Sequence, residues 1–205
     1  MKSTMGSAPR TEDAALRMMR LSDDWLAPLV KRLPVVLCLD TSGSMGFKGA
    51  DGHAPIDFVC TGIRKLHSEL CADVRARETV DLCVLTFGGN DKRQVSTLKA
   101  FGPITDWDPP ATLRASGQTY LGAALDTALR LVGERLEEYK RNAVLSYAPG
   151  RIMMTDGRTS EQDIPLLKQA VKELKARLAA QSLYLYSFFA CEPENLSKEI
   201  TKVAL

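Results

Sequence analysis

Residues 35–44 read Val-Val-Leu-Cys-Leu-Asp-Thr-Ser-Gly-Ser, an apolar run that stops at an acid. The apolar residues before the acid show no polar alternation, which predicts a β-strand covered on both faces. A glycine then permits a tight turn at the end of this strand. We therefore expect the side chains of Asp40, Ser42 and Ser44 to point from one loop into one small volume.

These three side chains form a set of hard oxygen donors. One carboxylate and two hydroxyls suit Mg²⁺ or Mn²⁺, whereas Zn²⁺ and copper favour nitrogen and sulfur ligands. The sequence therefore predicts a site for Mg²⁺ or Mn²⁺ directly after the first strand.

Two later segments add candidate ligands. Residues 151–157 form a second apolar run that ends at an acid and a glycine, and this acid is Asp156. Residues 115–119 form a loop of small residues that ends at Thr119, which we also expect to cap the helix after it. Loops that follow parallel strands gather at one edge of a sheet, so these residues are expected to join the first three.

Strand and helix patterns alternate along the chain. This alternation predicts an α/β fold in one domain, with a doubly wound, mostly parallel sheet flanked by helices. Strands are expected at 35–39, 80–87, 94–98, 151–155 and 182–189, the third of them antiparallel at the sheet edge; helices are expected at 11–29 (with a break near Pro28), 55–75, 121–140, 162–180 and from about 195.

The composition of the chain limits the classes of function that we expect. The 205 residues suit a single core, and a net charge of +2 gives no basis for nucleic-acid binding. No apolar stretch reaches the roughly 18 residues that span a membrane, and the polar N-terminus does not resemble an export signal. The five cysteines lack a Cys-x-x-Cys pair and are expected to be buried, reduced thiols. We expect a cytoplasmic protein that binds neither nucleic acid nor membrane.

The motif Asp-x-Ser-x-Ser, the loop threonine and the Thr-Asp-Gly motif at 155–157 resemble the metal-ion-dependent adhesion site (MIDAS) of von Willebrand factor A (VWA) domains. The resemblance covers roughly residues 33–204. The sequences at 85–89 and 116–119 are similar to those of bacterial intracellular VWA proteins related to TerY of tellurite-resistance clusters. The resemblance to the adhesion site implies that Ser42, Ser44 and Thr119 bind the metal directly and that Asp40 and Asp156 act largely through water.

This resemblance implies a domain division and a function. Residues 1–32 are expected to be a partly disordered N-terminal extension, and 33–205 a VWA domain that lacks a final helix of its relatives. The implied function is that of an adaptor without enzymatic activity, which binds an acidic residue of a partner through the metal. The implied partner is a Ser/Thr kinase, a PP2C-type phosphatase or an AAA+ ATPase in a bacterial stress-response system.

An alternative is a Mg²⁺-dependent phosphatase-like hydrolase, which also places an aspartate after a first buried strand. That chemistry needs a general acid two residues later, and Ser42 occupies this position.

Near the site, Thr155 is expected to support the core, and Trp107 is expected to pack beneath its loop as a wedge. Asp51 and His53 are expected to be solvated, and His67 is expected to be an ordinary surface residue.

Overall fold

The computed structural model describes residues 30–49, 52–89, 95–155, 159–180 and 182–189. The strands are β1 (Leu33–Asp40), β2 (Val80–Phe87), β3 (Val95–Pro103), β4 (Gly150–Thr155) and β5 (Tyr184–Phe189); the helices are α1 (Pro55–Ala72), α2 (Val74–Thr79), α3 (Leu121–Arg141) and α4 (Ile164–Ala179). The predicted helix at 11–29 and the one from about 195 lie outside the described residues.

The strands form one mixed sheet of five in the order β3-β2-β1-β4-β5. β1 pairs in parallel with β2 and β4, and β4 pairs in parallel with β5. β3 pairs antiparallel with β2 at the edge. The α/β class and the antiparallel edge strand are therefore confirmed, while the sheet is mixed and β3 runs five residues beyond the predicted end at 98.

Helices cover both faces of the sheet because the central strands are apolar on both faces. Val36 and Cys38 of β1 belong to the core layer beneath α3 and α4. Leu37 and Leu39 belong to the layer beneath α1. The alternation follows the two-residue period of a strand, and it makes β1 the centre of the fold.

The helices begin and end near their predicted bounds. Pro55 occupies the first turn of α1, where its missing N–H costs no hydrogen bond. The predicted helix 55–75 is divided, because Asp73 leaves the helical conformation and caps α2 by accepting a 2.8 Å hydrogen bond from the Ala76 N–H. Among the described residues, no helix is long and apolar enough to cross a bilayer.

Candidate metal-binding site

Asp40 is the last residue of β1, and its side chain is fully buried. Its Oδ1 accepts a 2.9 Å hydrogen bond from the Ser42 N–H, which bends the chain sharply after the strand. Its Oδ2 accepts a 2.6 Å hydrogen bond from the hydroxyl of Thr155 at the end of β4. The carboxylate is therefore held on both sides, by its own loop and by the neighbouring strand.

Ser42 and Ser44 place their hydroxyl oxygens 3.2 Å apart. They flank Gly43 at the start of a 3-10 turn that spans Gly43–Gly46. The fully buried side chain of Met45 anchors this turn in the core layer beneath α1. The two hydroxyls thus lie side by side on a turn that is fixed from below.

The loop after β2 supports this turn. Both the N–H and the hydroxyl of Thr41 donate to the Phe87 carbonyl, at 2.8 and 3.1 Å. Gly88 has a φ of +116°, and a Cβ there would lie 2.5 Å from the Ser42 nitrogen. Only glycine allows the backbone to pass so close to the site.

The loop that carries Thr119 lies against the same turn. The Ser116 N–H donates to the Thr41 carbonyl, and the Gly43 N–H donates to the Gly117 carbonyl, each at 2.9 Å. Thr119 follows two residues later and is 93% buried. The predicted gathering of loops at one edge of the sheet is therefore observed for the segments that carry Asp40, Ser42, Ser44 and Thr119.

Ser160 was not singled out from the sequence, yet it holds Thr119 in place. Its hydroxyl accepts a 3.1 Å hydrogen bond from the Thr119 N–H. Its own N–H donates to the Thr119 carbonyl at 3.0 Å. This reciprocal pair fixes the backbone of a candidate ligand from a segment 41 residues away.

The prediction that Thr119 caps α3 is wrong. Tyr120 is the N-cap residue, and its side chain makes no capping hydrogen bond. Asp163 instead accepts from the N–H groups of Gly122 and Ala123. A carboxylate at a helix N-terminus also opposes the helix dipole favourably, and this arrangement leaves the Thr119 side chain unused by the helix.

Asp156, the fifth predicted ligand, lies outside the described residues, as does Asp51. Among the described residues, no group of three or more His, Cys, Asp and Glu side chains could hold a metal. The candidate site differs from such groups in kind, because its described donors are one carboxylate and three hydroxyls. This oxygen set fits Mg²⁺ or Mn²⁺ by chemistry.

The spacing of the two serines also fits a small cation. Two neighbouring ligands of an octahedral Mg²⁺, each about 2.0–2.1 Å from the ion, lie roughly 2.9 Å apart. The hydroxyl oxygens of Ser42 and Ser44 are 3.2 Å apart, so a shift of a few tenths of an ångström would bring both onto one ion.

The prediction for His67 is also wrong, because the residue is half-buried. Its Nε2 lies 3.1 Å from the Ile104 carbonyl, and its ring meets that of Trp107 edge to face at 5.7 Å. Trp107 packs against the core layer beneath α1, as predicted. The pair fixes the chain that leads towards the loop at 115–119.

The described cysteines form no disulfide. Cys38, Cys60 and Cys83 are buried as predicted, whereas Cys71 is half-buried; Cys191 lies outside the described residues. Burial raises the pKa of Cys38 to about 12 and that of Cys83 to about 11. These thiols act as small apolar side chains of the core.

Two buried charges lie away from the candidate site. Asp81, near the opposite end of β2, accepts hydrogen bonds from Arg135 and Tyr139 of α3. Burial raises the pKa of Tyr139, and the hydrogen bond to Asp81 raises it further.

Arg151 of β4 is 99% buried, and none of its guanidinium nitrogens has a hydrogen-bond partner in the part of the chain that is described. Burial lowers the pKa of Arg151 to about 10.

The chain was compared with protein families, curated proteins and solved structures. No protein-family model and no curated protein matches the chain. A pilus adhesin, SpaC from Lactobacillus rhamnosus GG, is similar over 63% of this chain with a TM-score of 0.47 and 21% sequence identity. The matched region spans 16% of that adhesin, and a similarity at this level defines neither a family nor a function.

Proposed function

We propose that the chain is a metal-dependent protein-interaction module of the VWA type. It binds Mg²⁺ or Mn²⁺ through Asp40, Ser42, Ser44, Thr119 and Asp156, and the bound metal accepts an acidic residue of a partner protein. The observation that carries this proposal is the pair of serine hydroxyls 3.2 Å apart beside a fully buried aspartate.

The position of the site in the fold supports this proposal. From β1 the chain continues to β2 on one side, and from β4 it continues to β5 on the other. The carboxyl ends of β1 and β4 therefore border the switch point of the strand order, where ligands of open α/β sheets usually bind. Asp40 and Thr155 are the terminal residues of these two strands. A doubly wound VWA-type topology belongs to the same proposal.

The charge of the donor set explains why an external acid would be bound. The proposed ligands include only two carboxylates, and the three hydroxyls are neutral. Two carboxylates at most neutralise a divalent cation, so the site carries no excess negative charge and the cation can still bind an external carboxylate oxygen at an open coordination position. Partner binding would then require both the metal and an acid.

The identity of the partner is proposed from the family resemblance alone. Proteins resembling TerY accompany kinases and PP2C-type phosphatases in bacterial stress-response or tellurite-resistance clusters, and other intracellular VWA proteins work with AAA+ ATPases. We propose a cytoplasmic adaptor for a partner of one of these kinds. The gene neighbourhood discriminates among them.

The phosphatase alternative receives no support from the local chemistry. Ser42 occupies the position of the required general acid, and its N–H bonds to the would-be nucleophile Asp40. The purified protein is expected to show no Mg²⁺-dependent hydrolysis of a generic phosphate ester. Turnover that disappears in Asp40→Asn would favour the hydrolase instead.

Acid recognition can be tested with a defined probe. A blocked peptide with one glutamate is titrated into the Mn²⁺-loaded protein, beside its glutamine counterpart. Binding is expected only for the glutamate peptide, and it should be lost in EDTA and in Thr119→Ala. Ser96→Ala, at an exposed residue of β3, is the matched control and should bind like the wild type. Equal binding of the two peptides would contradict the proposal.

A further inference from the structure

Aromatic side chains are exposed in the loop after the candidate site and in the first turn of α1. Phe47 is 75% exposed and Phe58 is 58% exposed. Single exposed apolar residues are common, whereas a contiguous exposed apolar patch marks an interaction site. Their arrangement around the serine turn therefore bears on what the partner looks like.

Phe47 is joined directly to the turn of the candidate ligands. Its N–H donates a 3.2 Å hydrogen bond to the carbonyl of Ser44. Such a bond between residues three apart closes a turn in which the two Cα atoms lie within about 7 Å. The exposed phenyl ring therefore starts within one turn of a proposed metal ligand.

The returning part of the loop brings two further rings to the same region. The Gly49 N–H donates to the His53 carbonyl at 2.9 Å, which ties the two arms of the loop together. The ring of His53 meets that of Phe58 edge to face, with centroids 5.8 Å apart. Phe58 lies on the first turn of α1, outside its buried face. We call Phe47, His53 and Phe58 the aromatic rim.

Charged side chains lie beside the aromatic rim. Lys48 is exposed beside Phe47. The carboxylate of Asp57 accepts a 3.1 Å hydrogen bond from the Ala54 N–H, so it is engaged with the N-terminus of its own helix. Among the described residues of this loop, an incoming carboxylate would thus meet Lys48 beside the proposed cation.

We propose that the partner carries an aromatic or aliphatic side chain within one or two residues of its metal-binding acid, and that this side chain packs on the aromatic rim. The inference rests on the proposed function. It specifies the partner motif as an acid next to an apolar residue. Burial of such a side chain against exposed rings should tighten binding about tenfold, and aromatic side chains gain further from ring contacts.

Three blocked peptides test this motif on the full chain with saturating Mn²⁺. The first carries a glutamate among glycine and serine, the second has a leucine next to the glutamate, and the third replaces the glutamate of the second by glutamine. We expect the second peptide to bind about tenfold more tightly than the first. Phe47→Ser should remove this preference and leave Mn²⁺ binding unchanged, because the side chain is mostly exposed.

Val74→Ser provides the matched control. Val74 is 56% exposed and lies beyond the far end of α1, about 26 Å from its start at 1.5 Å per residue. This variant should keep the preference for leucine. If both glutamate peptides bind equally, or if Phe47→Ser keeps the preference, the aromatic rim is not a recognition surface and acid recognition stands. If the glutamine peptide binds as well as its glutamate form, the proposed function falls, and this inference with it.

Discussion

The hydroxyl of Thr155 donates a 2.6 Å hydrogen bond to Oδ2 of Asp40, and this bond joins the ends of two strands across 115 residues of sequence. Both residues are fully buried. A hydrogen bond to a buried carboxylate is stronger than one between neutral groups, and its loss leaves the acceptor poorly satisfied. Thr155 is thus a positioning residue for Asp40, a more specific role than the core support predicted from the sequence.

Replacing Thr155 by valine should loosen Asp40 while it preserves the volume of the side chain. We expect Mn²⁺ affinity to fall about tenfold and the free energy of unfolding to fall by about 1–3 kcal/mol. Calorimetric titration and thermal melts measure the two effects. Thr155→Ser keeps the hydroxyl and is the control. Wild-type Mn²⁺ affinity in the valine variant would show that this bond does not position the carboxylate for the metal.

Replacing Asp163 by alanine should destabilise the domain through α3. The change removes the acceptor for the N–H groups of Gly122 and Ala123, and the loss of such a cap costs about 1–2 kcal/mol. Chemical denaturation followed by circular dichroism measures the change. Glu161→Ala removes an exposed acid of the same 3-10 turn and should have little effect. Equal stability of the two variants would argue against the cap.

Replacing Arg151 by methionine should stabilise the protein. The guanidinium is buried without a hydrogen-bond partner among the described residues, and an apolar side chain of similar length avoids its desolvation. We expect a gain of about 1–2 kcal/mol in the free energy of unfolding. Arg130→Met, at an exposed ion pair, is the control and should change stability little.

The pH dependence of this gain has a definite sign. Burial lowers the pKa of Arg151 to about 10 in the folded protein, so folding disfavours the charged form. The penalty is fully present below the lowered pKa and is relieved only as the pH rises above about 10. The advantage of the methionine variant should therefore be constant from pH 6 to 9. A destabilised variant would mean that Arg151 holds an essential structural contact.

Local sequence patterns predicted the parts of the fold that depend on local periodicity. β1 and β2 are apolar on both faces, and the apolar residues of α1 recur at three and four positions, so each element was identifiable alone. The cap by Asp163 and the clamp by Ser160 reach across about 40 residues, which no local pattern encodes. The partial burial of His67 is not predictable from local sequence for the same reason, since its partner Trp107 is distant in sequence.

Local sequence also predicts only part of the candidate site. The motif from Asp40 to Ser44 is predictable because one strand and the turn after it bring its side chains together. Its contacts with the Gly117 loop follow from strand order, which the alternation of strands and helices made predictable. The sequence predicts that Thr155 belongs to the strand before Asp156. It does not predict the hydrogen bond from Thr155 to Asp40, because this bond depends on the register between β1 and β4.

Calorimetric titration of the purified chain with Mn²⁺, beside Asp40→Ala and Ser42→Ala, tests the proposed metal site itself. The wild type is expected to bind one ion weakly, because only two of the five proposed ligands carry charge. Both variants should lose this binding, and thermal melts should show that they remain folded. Unchanged Mn²⁺ binding in both folded variants would contradict the assignment of the metal site and the function built on it.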